Sequence, residues 1–308
     1  EHERQAHLLD NGMSYYVVNI IGCNYWTIEG LHISGTQTTA STTNNGGIMV
    51  QSGAHPVVIR RNLIHDLNHY NGSSGIIFAY SASDGLVEEN EAYNLNRDMI
   101  YAFQVPRITF RRNYCWGGTP PPVTGTGGTT GPHVCILSYQ STDALFENNI
   151  AENTGSLNGG AAETFGDTGA RTRWLGNIAM SGKNGFFVTK HPNKFMAQRD
   201  SVLENNVVIA IPGQQAMGNG LHANSMLNLQ VRNLSIFGSG SNGIYASNTY
   251  DSRNPPLNTQ TQQNPEITVT NALVQDTPLG YLVQNESQFA IRSFSYSHGW
   301  NNSGGTWA

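Results

Sequence analysis

Residues 57–64 read VVIRRNLI, and the same grammar returns as ITFRRNYC at 108–115 and ALFENNIA at 144–151. Each copy is a short alternating run, a polar pair ending in Asn, and an apolar pair. Anchored on that Asn, units recur at Asn62, Asn90, Asn113, Asn149, Asn177, Asn206, Asn233 and Asn271, at intervals of 23 to 38 residues. After most of them a small or turn residue opens a further strand, as in GIIFAY, GFFVTK, GLHANS and GIYASN. Each unit therefore carries three short strands. Strands this short bury no face alone, but stacked units share a continuous core and pair every backbone group with the coil above or below. The pattern predicts an all-β parallel β-helix, a solenoid of about ten coils with an Asn-rich corner. Asn suits that corner because it tolerates a left-handed backbone and its amide reaches the next Asn.

Composition agrees. Of 308 residues only 12% are charged and 34 are Gly, poor material for surface helices and good material for turns. A net charge of −5 with 16 basic residues provides no general field for nucleic acid or an anionic membrane surface. No apolar run approaches a membrane span, and the chain opens with EHERQAHLLDNG, which is no signal peptide. Cys23, Cys115 and Cys135 are too few for a disulfide framework or a zinc site. A bridge between Cys115 and Cys135 and three small buried thiols are equally compatible with the sequence.

The repeated grammar, from VVNIIGCNYWTIEGLHIS to YLVQNESQFAIRSFSYS, resembles the right-handed parallel β-helix of the pectate-lyase-like superfamily, polysaccharide lyases among them. The resemblance spans nearly the whole chain as one domain, 1–308. It implies an N-terminal cap that the sequence does not display, and a substrate groove along the sheet built from the strand after the Gly.

Aligning those strands on the preceding small residue places Cys135, Glu163, Phe187, His222 and Tyr245 in one outward column. Tyr139, Asp167, His191 and Met226 form another. All three lysines, Lys183, Lys190 and Lys194, fall within twelve positions of this region, as if a local positive charge were needed. The longest insertions, at 119–132, 191–200, 211–218 and 250–265, lie beside the same coils.

A lyase acting on a uronate-containing polysaccharide requires a cation for the sugar carboxylate, a base for the neighbouring proton and an acid for the leaving oxygen. Lys190, Lys194 and Arg171 supply the first, His191 or Lys190 the second and Tyr139 the third, with Asp167 orienting His191. Glu163, His222, Phe187 and Tyr245 complete the binding surface. A hydrolase requires two nearby carboxyls, whereas Glu163 and Asp167 stand about 13 Å apart along one strand. The alternatives are a carbohydrate-binding, adhesive or tailspike-like structural module, with exposed aromatics such as Phe165 holding sugar, and a β-helical glycoside hydrolase whose second acid comes from a loop aspartate such as Asp143 or Asp200. No metal or other cofactor is expected; calcium fits the superfamily, but its aspartate cluster has no match. The expected partner is an anionic polysaccharide, and the expected setting is secreted, periplasmic or cell-surface.

Overall fold

The computed structural model describes residues 6–10, 16–35, 45–67, 73–95, 97–117, 134–153, 163–189, 199–211, 217–224, 226–247, 266–283, 290–295 and 297–303. Among them every regular element is a strand, and each strand pairs in parallel with its counterpart one coil away. The first sheet has eleven strands, from Ala6–Asp10 to His298–Trp300. The second has ten, from Tyr16–Ile21 to Leu279–Val283, and the third has ten, from Trp26–Glu29 to Ala290–Ser295. The chain visits the sheets in that order on every coil, which is a parallel β-helix.

Alternation decides which side chains make the core. On the third sheet the register aligns Ile59, Val87, Phe110, Phe146, Trp174, Leu203, Val231 and Val269, all buried. Rings at successive levels pack together, Phe110 tilted against Phe146 at 4.9 Å and Phe146 stacked on Trp174 at 5.7 Å between centroids. Burying each such side chain contributes roughly 1.5–3 kcal/mol. The intervening residues form an outward ladder of alternating sign, Glu29, Arg60, Glu88, Arg111 and Glu147, in which Arg111 and Arg112 pair with the buried Glu88.

The corner between the third and first sheets is the most regular feature. It always has one or two residues. Its first residue has a positive φ at Arg61, Glu89, Arg112, Asn148, Gly176, Asn205, Asn233 and Asn271, a region that costs most side chains energy. Its second residue points inward. Asn62, Asn90, Asn113, Asn149, Asn177 and Asn206 are fully buried here; the Nδ2 of each of the first five donates to the next Oδ1 at 2.9–3.0 Å, and Asn206 Nδ2 ends the ladder on Trp174 O and Glu204 O. The same Nδ2 groups also donate to backbone carbonyls of the third-sheet strands, such as Phe110 O for Asn149. Burial without these partners would cost several kcal/mol per coil.

Asn233 and Asn271 differ from expectation. They occupy the exposed first position, where Asn271 donates to Asn233 and Asn233 to Asn205, both at 2.7 Å. Leu234 and Ala272 fill the inward position instead, so near the C-terminal end apolar packing replaces the buried amide ladder. Cys115 and Cys135 are both buried free thiols.

Candidate active site on the second sheet

Connection lengths single out one face. Third-to-first corners never exceed two residues, but first-to-second connections run from two residues to seventeen, the longest between Trp116 and Val134. Second-to-third connections reach eighteen, between Ser247 and Glu266. Every long insertion therefore leaves and rejoins the solenoid at an edge of the second sheet. Functional side chains concentrate where variable loops border a rigid scaffold.

The register of that sheet defines its outward columns. One runs Asn19, Met49, Ile77, Tyr101, Leu137, Gly166, Phe187, His222, Tyr245 and Leu282. A second, two residues on, includes Phe103 beside Tyr139, and Thr189, Asn224 and Ser247 in line. Phe187, His222, Tyr245 and Tyr139 thus face outward as their spacing predicts.

Several expectations are corrected. Asp167 aligns with Ser138 and Val188, in a column that continues to the core residue Ala223, and it is fully buried with Oδ1 accepting from Gly169 N at 3.0 Å. Its lateral neighbour is therefore Val188 and not His191. The cause is local: Thr164 stands where neighbouring coils have Gly185, Gly220 and Gly243, so an alignment on Ala161 runs out of frame. Phe165 stacks on Phe186 at 5.0 Å inside the core. Cys135 and Met226 also point inward, and Ile100 and Ala102 lie in the core while Tyr101 and Phe103 take the outward places. Arg171 is committed elsewhere. It sits at the second-to-third corner and holds Asp143 through two bonds of 2.6 and 2.7 Å, which keep that carboxyl below its usual range.

Lys190, His191 and Lys194 fall outside the described residues, in the nine-residue connection after Thr189. The side chain of Glu163 is outside them too, although its backbone pairs with Val134 and Asn184.

The outward face divides into two halves. Toward the N-terminal side Met49, Ile77 and Ala79 form an apolar cluster with Tyr16, Tyr101 and Phe103, separate from the core, and these first three are almost fully buried although they face out. Tyr139 extends it, its ring 5.6 Å from Phe103, and burial raises its phenol above the usual range. Toward the C-terminal side stands a polar and aromatic column. Phe187 lies 5.0 Å from His222, and His222 lies 4.6 Å from Tyr245, between ring centroids. His222 Nε2 is 2.9 Å from Ser247 Oγ. Burial, with the charge of Lys183 adding to it, lowers the His222 imidazole to about 4. At neutral pH this ring is unprotonated, and the tautomer with Nε2–H donating to Ser247 leaves Nδ1 as a base. Sequence alone places Lys183 only among the clustered lysines and does not single out Ser247, because their relation to His222 depends on register across coils.

No curated protein sequence matches the chain. Among solved structures the fold is similar to the pectate lyase Pel9A, with 16% identity, a TM-score of 0.56 and coverage of 91% of this chain and 69% of that one. It is similar to an alginate lyase from Paenibacillus sp. at 12% identity and a TM-score of 0.55, covering 94% of this chain and 98% of that one. The mannuronan C-5 epimerase A-module of Azotobacter vinelandii gives 12% identity and 0.55, covering 99% and 84%. The family described as right-handed β-helix region matches residues 16–202, more than half of the sequence. Three parallel sheets, a stacked Asn corner and that match lead to one conclusion: the chain belongs to the right-handed β-helix family.

Proposed function

We propose that the chain is a polysaccharide lyase that binds an acidic, uronate-containing polysaccharide along the outer face of the second sheet and cleaves it by β-elimination. The observation that carries this reading is the column Phe187, His222 and Tyr245, with Ser247 bonded to His222 and the charge of Lys183 felt at the imidazole. His222 takes the proton next to the sugar carboxylate, Lys183 offsets the charge that develops there, and Tyr245 donates its hydroxyl proton to the departing oxygen. The electron pair left on carbon forms the double bond as the glycosidic bond breaks. Phe187 and Tyr139 offer aromatic surface to the apolar faces of sugar rings.

Two further points favour elimination. Among the described outward side chains of this sheet there is no pair of carboxylates at the spacing hydrolysis needs. Three of the fold neighbours are named for pectate, alginate or mannuronan, although an α-1,3-glucanase catalytic domain shares the fold. A setting outside the cytoplasm belongs to the same reading, since such polymers are found there. In the sequence Lys190, His191 and Lys194 follow directly on Thr189, the last residue of the Phe187 strand.

The test is incubation with a panel of polyuronates while following new ultraviolet absorbance from unsaturated products. His222→Ala should reduce turnover by about 100-fold or more while leaving polymer binding intact. A non-catalytic sugar-binding module, the second reading, gives binding without unsaturated product; full turnover in His222→Ala removes this residue from the mechanism.

A further inference from the structure

A second group of titratable side chains lies on the first sheet, away from the proposed groove. His7 and His32 occupy aligned positions on successive strands, with rings 4.0 Å apart and 8° from parallel. One coil further on, His65 comes within 4.9 Å of His32 at an interplanar angle of 30°. Tyr93 and Trp116 continue the stack at 4.6 and 4.3 Å. Stacking turns most ring faces toward one another and leaves edges outward, so the column is ill suited to sugar stacking. Its chemistry lies in the nitrogen atoms.

His32 Nε2 and His65 Nε2 are 2.7 Å apart, and His65 Nδ1 is 2.7 Å from Asp66 Oδ2. Asp66 is itself fixed by a hydrogen bond from the Asn94 amide one coil away. His7 Nε2 is tied to Ser34 Oγ at 2.8 Å. A carboxylate on one ring nitrogen of His65 places the proton on Nδ1 and leaves Nε2 as a lone pair aimed at His32, the arrangement that orients histidines as metal ligands. Among the described residues no set of three or more His, Cys, Asp or Glu encloses a metal, so any such site is two-coordinate from protein and completed by water.

From these contacts we infer that His32 and His65 form a cross-coil bis-imidazole site for a divalent transition-metal ion, copper(II) first, with Asp66 as the positioning residue. The spacing selects the ion. With metal–nitrogen bonds of about 2.0–2.1 Å, two ligands at 90° stand about 2.9 Å apart, whereas tetrahedral ligands stand about 3.3 Å apart. The observed separation is nearer the former, the cis edge of the tetragonal geometry of copper(II) and nickel(II), and copper(II) also leads the general affinity order. Binding requires His32 to carry its proton on Nδ1, which frees Nε2. The bridging hydrogen bond is then replaced by two metal–nitrogen bonds, with no redox change.

Copper(II), nickel(II) and zinc(II) chlorides, titrated separately by calorimetry into the chelator-stripped chain, test this directly. The expected result is one saturable copper ion per chain, bound more tightly than nickel or zinc. His32→Asn and His65→Asn should each weaken copper by at least about 100-fold, and Asp66→Asn by about 10–100-fold, while the exposed His55→Asn changes nothing. Because a variant that fails to fold would mimic lost binding, substoichiometric copper is also added to the unsubstituted protein. Its paramagnetism should broaden the His32 and His65 imidazole resonances first. No saturable binding, unchanged affinity in both histidine variants, or broadening that begins at other histidines overturns the proposal.

Discussion

The third-to-first corner and the edges of the second sheet are built by opposite rules. At the corner each coil spends one or two residues, repeats a positive φ and, through Asn206, buries the same amide. At the second sheet's edges the connections run from two to eighteen residues, and the outward column changes from apolar Met49 and Ile77 to Phe187, His222 and Tyr245. A solenoid needs a shared corner to stay in register, since each coil rests on its neighbours. Away from that corner the constraint relaxes, and chemistry can vary from coil to coil.

Substitutions should separate the two regimes. The largest stability effect is expected in the stacked core that the corner aligns. Trp174→Ala removes a fully buried ring packed on Phe146 and should cost about 3–5 kcal/mol in denaturant unfolding. Next comes Asn149→Ala, which leaves the Asn113 donors and Phe110 O without their partner and should cost about 3 kcal/mol. Its counterpart on the exposed ladder, Asn271→Ala, should cost less than about 1 kcal/mol. Equal losses at the two positions would erase the distinction between the buried and exposed columns.

A pH experiment sharpens the other side. Folding lowers His222 to about 4, while an unfolded imidazole titrates near about 6.5. Between those values the unfolded chain binds the extra proton, so stability is complete above about pH 6.5 and declines as acid carries the solution toward pH 4. His222→Gln should remove that decline from the acid-unfolding profile. The smallest effect belongs to Arg171→Ala. Its exposed pair with Asp143 should be worth under about 1 kcal/mol, and polyuronate turnover should not change.

The fold was legible because Asn and the alternating run before it are fixed by local requirements: a left-handed corner residue, an inward amide and a half-buried strand. Even the displaced Asn233 and Asn271 kept the coil boundary, only one position off. The site was less legible because it depends on register between coils. Gly marks the start of the strand at 185, 220 and 243, and the frame there places Phe187, His222 and Tyr245 correctly. Thr164 takes that place in the preceding coil, and the lost marker put Asp167 on the wrong face. The first-sheet stack had a signal that went unread: His65, Tyr93 and Trp116 each stand three residues after a ladder Asn. His32 joins them only diagonally, because the register sets it beside Leu63, and no spacing within one coil reveals that.

The most direct test of the central claim is a crystal structure of the His222→Ala chain with a bound oligouronide. The account predicts the sugar chain on the outer face of the second sheet, over Phe187 and Tyr245, with a carboxylate within hydrogen-bond reach of Lys183. An oligouronide seated instead on the first or third sheet, with this column untouched, would contradict it.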